Sequence, residues 1–286
     1  GSRMSSSLPD LAPPIHSNLS VRRSDPDDVG GISTMFENTF PDDPSMSQFA
    51  AFQGIDIGIL KSRPRRQKFF SAIIETCFMS VIAEDDEGNI VGFVALDDAP
   101  IQMTSTPGAG GMWEEWFHKA YAEPADGMNS LWISCCIVDS QVDGMAEILR
   151  TTFSTMYDLQ YVFVFVPDKL DAELSVSLVE PFDVHFRGLE ASSDFPSDMD
   201  WLTKYGPASM ILVCHRQNVV TPLVIRSARV EDHDSLVAVF DSQSEVVTEV
   251  YGEYFIAELI EAQDEENKAL VAEVDGRAVG LMCLTS

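Results

Sequence analysis

From Trp132 to Val138 the only polar residue is Ser134, and Tyr161 to Val166 is continuously apolar. Runs without alternation predict strands covered on both faces. Between them Met145, Ile148, Leu149, Phe153 and Met156 recur at helical spacing and give one apolar face. Strand, helix and strand in that order predict a βαβ unit, with parallel strands and the helix crossing over between them. Upstream, Phe78 to Ala83 and Ile90 to Leu96 are β-rich runs flanking a turn with Gly88, which is free to take positive φ. That pattern predicts a hairpin.

The remaining segments fill in around these. Leu19 to Arg22 reads as a short strand, and Asp25 to Asp28 supply caps and dipole-matched charge for a helix through Ile32, Met35 and Phe36. Met46 to Phe78 is expected to hold one or two helices. Asp97 to Ser130 is a long connection, irregular around Gly108, Gly110 and Gly111. Within it Trp113, Trp116, Phe117, Ala120 and Tyr121 mark one amphipathic helix. After Pro167, Leu170 to Val179 reads as a helix. Val184 to Phe186 and Met210 to Cys214 read as closing strands, with a polar loop between.

The last part of the chain repeats its beginning. At one constant spacing, Val21 and Arg22 align with Ile225 and Arg226, Asp27 and Asp28 with Glu231 and Asp232, and Ile32 and Phe36 with Leu236 and Phe240. The segment VIAEDDEGNIVGFVAL is echoed by LVAEVDGRAVGLMCL, one residue shorter in the turn. Matching strand, helix and hairpin in the same order is an internal duplication. The expected organisation is a remnant tag and disordered leader over residues 1–18, one domain over residues 19–217, and the first half of a second copy over residues 222–286. The whole is expected to be a piece of a longer protein.

Charge narrows the function classes. The chain carries 46 acidic and 18 basic residues, a net charge of -28. Such a field disfavours nucleic acid and anionic membrane surfaces as partners. The five cysteines show no Cys-x-x-Cys spacing, and His and Cys show no metal-ligand spacing, so reduced thiols and no metal are expected. With no apolar run of membrane length and no signal-peptide pattern, the reading is a soluble cytoplasmic protein. One dense basic cluster stands out: Lys61, Arg63, Arg65, Arg66 and Lys68. It suits either docking of an acidic partner or a solvated helix face. Tyr254, Phe255, Leu259 and Ile260 likewise give an acidic helix an apolar face for docking or for packing on its own hairpin.

The element order resembles the GCN5-related N-acetyltransferase fold, an α/β class built on a mixed sheet. In that family the pantetheine arm of acetyl-CoA slots between the two parallel strands. Its pyrophosphate sits on the amides of a Gln/Arg-x-x-Gly-x-Gly/Ala turn at a helix N-terminus, where orphan N–H groups and the helix dipole favour an anion. Gln141, Gly144 and Ala146 match that turn and are the cofactor-binding candidates the resemblance implies. Gly144 equally serves to start a helix against its strand. The turn is about two residues shorter than the usual one, and Asp139 and Asp143 place carboxylates where a pyrophosphate needs none. The Tyr that the family often uses as acid is missing between Asp168 and Phe186. His185 and Glu180 are available there, but a lone His near a strand is more often structural. Cys135 and Cys136 have no base nearby in sequence, so no catalytic residue is assigned.

A second resemblance concerns the stretch from Ile225 to Met282, most specifically Tyr251 to Lys268, together with the βαβ segment. These are similar to the cilia- and flagella-associated protein 61 family. That resemblance implies an acetyltransferase-like fold used as a non-catalytic scaffold for ciliary and flagellar motility. It implies location in the cytoskeleton of the axoneme. The implied partners are radial-spoke proteins and those of the calmodulin- and spoke-associated complex, with no nucleic acid, no membrane and no cofactor. The alternative is an acyl-CoA-dependent N-acetyltransferase or a CoA-binding pseudoenzyme.

Overall fold

The computed structural model describes residues 19–100, 113–139, 143–166, 176–190, 210–243, 252 and 254–285. The chain divides into two compact units, one through Val219 and one from Val220 onward.

In the first unit a seven-stranded sheet runs in the order β1-β2-β3-β4-β5-β7-β6. Its strands are β1 (Ser20–Arg23), β2 (Met79–Glu84), β3 (Ile90–Asp97), β4 (Ser130–Val138), β5 (Tyr161–Val166), β6 (Arg187–Gly188) and β7 (Met210–His215). Only β4 and β5 are parallel; the other neighbours are antiparallel. The expected α/β mixed sheet with a parallel βαβ unit is thus the one observed. Two details differ from the expected elements. Val184, read as strand, lies exposed in a turn, and the strand is instead the two-residue β6. Between Met46 and Phe78 there are three helices rather than one or two. The Leu170 end of the next expected helix and the polar loop lie outside the described residues.

The helices of this unit are α1 (Val29–Thr39), α2 (Asp43–Gln53), α3 (Ile57–Leu60), α4 (Arg63–Thr76), α5 (Trp113–Ala120), α6 (Gly144–Thr155) and α7 (Val176–Val179). They cover both faces of the sheet. Phe93 on β3 meets Phe70 of α4 edge to face at 6.1 Å, while its neighbour Gly92 faces Ile148 of α6. Successive strand residues point to opposite faces, so α4 and α6 lie on opposite sides. Phe36, Phe40, Phe49 and Phe70 fill the first side with ring spacings of 5.0 to 5.8 Å. The expected amphipathic helix α5 buries Trp113, Trp116 and Phe117 against Trp132, which stacks on Phe163 at 4.8 Å. Arg216 closes the C-terminus of α6 by donating to the carbonyls of Phe153, Met156 and Leu159.

The second unit has a three-stranded antiparallel sheet in the order β10-β9-β8: β8 (Val224–Ser227), β9 (Asn267–Val274) and β10 (Arg277–Thr285). Asp275 and Gly276, both at positive φ, form its hairpin turn. Helices α8 (His233–Gln243) and α9 (Phe255–Glu261) accompany the sheet. In α9 the buried residues are Ile256 and Ile260, which pack with Ala269, Val271 and Ala278. Tyr254, expected on the apolar face, is exposed. The face of α9 therefore serves its own hairpin.

Candidate functional site

The parallel strands part company half-way along β4. Ser130 to Ile133 register with Tyr161 to Val164, and there the ladder ends. Beyond Ser134 the strand keeps only its β3 partner, with Cys135, Cys136, Ile137 and Val138 opposite Ala95, Val94, Phe93 and Gly92. Phe165 and Val166, on the other side, pair only with β7. The cause is visible in the β3–β4 register, which jumps from Leu96–Ile133 to Ala95–Cys135 and leaves Ser134 as an extra residue. A bulge of this kind bends its strand and sharpens its twist, so β4 swings away from β5. Ser134 was legible in sequence only as the one polar break in its run.

The bulge opens onto a cleft of about 400 Å³ between the α2–α4 side, the end of β3 and the middle of β4. Gln53, Thr76, Asp97 and Ser134 supply its polar lining and Phe69 and Ile73 its apolar part. Gln53 Nε2 and Ser134 Oγ are buried there without a hydrogen-bond partner among the described residues. One Asp97 oxygen accepts from the Phe78 amide at 3.1 Å. Chemically, this cleft can take a small polar group that both donates and accepts.

At the far end of β4 the turn into α6 holds the cofactor candidates. Gln141 lies outside the described residues. Gly144 opens α6 and is buried, and a Cβ on it would come within 3.3 Å of Val138 Cγ1, so glycine lets the helix start tight against its strand. Ala146 is buried two residues further in the same helix turn. Asp143 occupies the N-cap position without accepting from the helix amides. Asp139 directly follows the strand, its amide donating to the Val91 carbonyl at 2.9 Å. Asp143 at the N-cap and Asp139 four residues before it put two negative charges into the sequence of this helix start, a pattern that disfavours a polyanion. His185 Nε2, 3.9 Å from Asp143, is buried without a hydrogen-bond partner among the described residues.

Among the described residues no strong nucleophile gathers here. Burial pushes the Cys136 thiol up to about 12 and the Cys135 thiol well above its ordinary value. At the opposite end of β5, Glu123 pairs with Arg187 and lies 3.7 Å from His215, whose pKa is lowered by burial against the pull of Glu123. Among the described residues no group of three or more His, Cys, Asp or Glu could hold a metal ion.

The basic cluster splits in two. Lys61, Arg63, Arg65 and Lys68 are exposed; Lys61 pairs with Asp43 at 2.6 Å and Arg63 reaches Thr34 Oγ1 at 3.4 Å. Arg66, expected with them as a partner-binding residue, is 2% exposed and does not belong on the surface. Its guanidinium donates to Ser33, to the Leu60 carbonyl and to Glu37, and lies over the Phe36 ring. It fastens α4 to α1.

Compared with known proteins, residues 20–286 match the sequence profile described as cilia- and flagella-associated protein 61, N-terminal domain. The chain belongs to the cilia- and flagella-associated protein 61 family. A curated relative of that name from Tetrahymena thermophila is 43% identical over 72 residues, 22% of this chain and 4% of the relative. The chain thus matches only a small part of that protein's length. Family membership places the chain among proteins associated with cilia and flagella. Solved structures similar to it are N-acetyltransferases. One is the histone acetyltransferase HPA2 and related acetyltransferase from Corynebacterium glutamicum (17% identity, 71% of this chain and 98% of that one, TM-score 0.38). Another is the spermidine N-acetyltransferase from Vibrio cholerae with CoA and spermine (11%, 70% and 97%, TM-score 0.35). At those scores the likeness transfers no chemistry to this family member. Among the described residues no helix is long and apolar enough to cross a membrane.

Proposed function

We propose that the chain is a non-catalytic interaction module of the ciliary axoneme, an acetyltransferase-like fold acting as scaffold at the base of a radial spoke. In this reading its partners are radial-spoke proteins and those of the calmodulin- and spoke-associated complex. The observation that carries the reading is the turn into α6. The cradle that an acetyltransferase fold offers to pyrophosphate here has Asp139 before it and Asp143 at the N-cap of α6, and the sequence from Asp139 to Ala146 holds no Lys or Arg. The buried, high-pKa thiols of Cys135 and Cys136 add no nucleophile.

A docking surface supports the same reading. Arg65 and Lys68 lie three residues apart on α4, exposed, next to Arg63 and Lys61 in a chain of net charge -28. They fit an acidic segment of a neighbouring axonemal protein. Replacing Arg63, Arg65 and Lys68 by Glu in the full-length protein should remove it from spoke-containing axonemes while leaving its fold intact. Normal incorporation of a folded triple variant would sink the docking surface.

The bulge at Ser134 and the cleft beside it favour a second reading, a CoA-binding pseudoenzyme or N-acetyltransferase. Titration calorimetry separates the two. The scaffold reading expects no heat from acetyl-CoA at millimolar concentration. Saturable micromolar binding that disappears in Gly144→Glu would overturn it, and turnover of a peptide amine would make the chain an enzyme.

A further inference from the structure

The two units share details that a general likeness of fold does not require. Arg22 pairs with Asp28 and Glu84 at 2.7 Å each, and Arg226 pairs with Asp232 and Glu273 at 2.6 and 2.5 Å. The amides of Asp25 and Arg229 donate to Asp28 and Asp232, each at 2.8 Å. Across the strands, Arg22–Ile82 and Ile82–Phe93 correspond to Arg226–Val271 and Val271–Leu281. Both hairpins carry a bulge at the same place, skipping Val91 before Gly92 and Val279 before Gly280. Two sheets that agree in register, bulge and half-buried ion pairs are one arrangement used twice.

The correspondence makes β10 the counterpart of β3, and there the two units differ. The free edge of β3 is taken by β4, and α6 covers the face that carries Gly92, Val94 and Leu96. A Cβ on Gly92 would meet Ala83 and Ile148 of α6, whereas one on Gly280 would meet only Ala272 among the described residues. Val94 and Leu96 are each 1% exposed; their counterparts Met282 and Leu284 are 60% and 48% exposed. Ile225, on the same face, is 59% exposed. β10 is an edge strand of its sheet, although its counterpart is central in the first unit. An apolar strand with both an open edge and a bare face is built to be covered.

We propose that in the full-length protein the next strand–helix pair of the same polypeptide completes this sheet, its strand antiparallel to β10 and its helix on the bare face, in the places of β4 and α6. The occupant is drawn from the same polypeptide because a relative of the family has length to supply it: the aligned 72 residues are 4% of the Tetrahymena protein, which is therefore several times longer than this chain. Its chemistry follows from its counterparts. The strand is a predominantly apolar run like Leu131 to Val138. The helix presents a stripe like Ile148, Leu149 and Phe153, which are buried in α6.

Cys283 supplies the probe, since it is exposed and stands where Ala95 pairs with Cys135 of β4. In the 286-residue chain its thiol should react with a maleimide as an open thiol, and the β10 amides should exchange rapidly. In the full-length protein labelling should slow by about tenfold or more and β10 should gain protection from exchange. Equal labelling and exchange in both would overturn the proposal. So would protection already present in the shorter chain together with a doubled mass, which would make the occupant a second copy. The double substitution Met282→Asp and Leu284→Asp tests the helix separately. It should leave the melting temperature of the shorter chain unchanged and abolish β10 protection in the full-length protein. An equal response from both lengths counts against a covering helix.

Discussion

Arg22 and Arg226 perform the same task in the two units, each holding two carboxylates that come from a capping turn and a neighbouring strand. A guanidinium suits this because its fork can serve two acceptors in fixed directions. At Asp28 burial raises the pKa, but the hydrogen bonds from Arg22 and the Asp25 amide outweigh it and leave the carboxyl below its ordinary value. At Asp232 the hydrogen bond from Arg226 is the largest influence and again lowers the value against burial. A carboxylate with a depressed folded pKa stabilises the fold above its unfolded value of about 4, and that contribution is lost as pH falls through the folded value. Asp28→Asn should therefore cost about 2 kcal/mol at pH 7 and flatten the first unit's loss of stability below pH ~4. Urea denaturation at pH 7 and pH 3 measures both effects, and an unchanged acid loss would show that Asp28 is not its source. Arg66 offers a contrast between buried and surface cations on one helix. Its removal leaves Glu37, Ser33 and the Leu60 carbonyl without their donor, so Arg66→Ala should cost about 3 kcal/mol. Arg65→Ala, one residue away and exposed, should stay within about 0.5 kcal/mol in the same denaturation assay.

At the level of elements, the seat of α6 on the sheet rests on the missing side chain at Gly92. A Cβ there would lie 2.9 Å from Ile148 Cδ1 and 3.3 Å from Ala83 Cβ, in a fully buried layer. Gly92→Ala should cost about 1–2 kcal/mol, and Ile148→Val, which removes the nearer atom, should recover part of it. Strictly additive losses in the double-mutant cycle would mean that the helix does not sit where the contact implies. The elements with their own periodicity were legible in sequence: β4, α6 and β5 announce themselves by uncut apolar runs and helical spacing, and α5 by its aromatic stripe. What escaped depends on partners distant in the chain. The bulge at Ser134 is a count of two residues against one, and that count needs the β3 register. β6 is two residues long and exists only because β7 is there to pair with it, so Val184 to Phe186 looked the better strand by composition. Arg66 read as one of five surface cations because its acceptors on α1 lie about thirty residues upstream. The carboxylates around Gly144 were legible from the start, being neighbours in sequence, and they weigh most against a polyanionic cofactor.

For the whole molecule, charge sets two opposing dependences on salt. With 46 acidic residues against 18 basic ones, even complete pairing of every cation leaves an excess of 28 negative charges. Those charges repel one another across the surface, and compaction brings them closer, so the folded chain is under electrostatic self-repulsion. Salt shortens the reach of that repulsion from roughly 30 Å at 0.01 M to about 10 Å at 0.1 M. The ion pairs that salt weakens are fewer; those of Lys61, Lys119 and Arg150 are exposed on both sides and contribute little. The melting temperature should therefore rise as sodium chloride is raised from about 10 mM to about 0.5 M. The docking proposed for Arg63, Arg65 and Lys68 should respond in the opposite sense, because an attraction between the cluster and an acidic partner is screened by the same ions. Salt extraction of axonemes thus separates folding from attachment. The protein should leave the axoneme at a concentration where its circular dichroism and melting temperature show a fold more stable than in dilute buffer. Release that coincides with loss of the folded signal would mean that salt acts on the fold, and that the basic face of α4 is not what holds the protein in place.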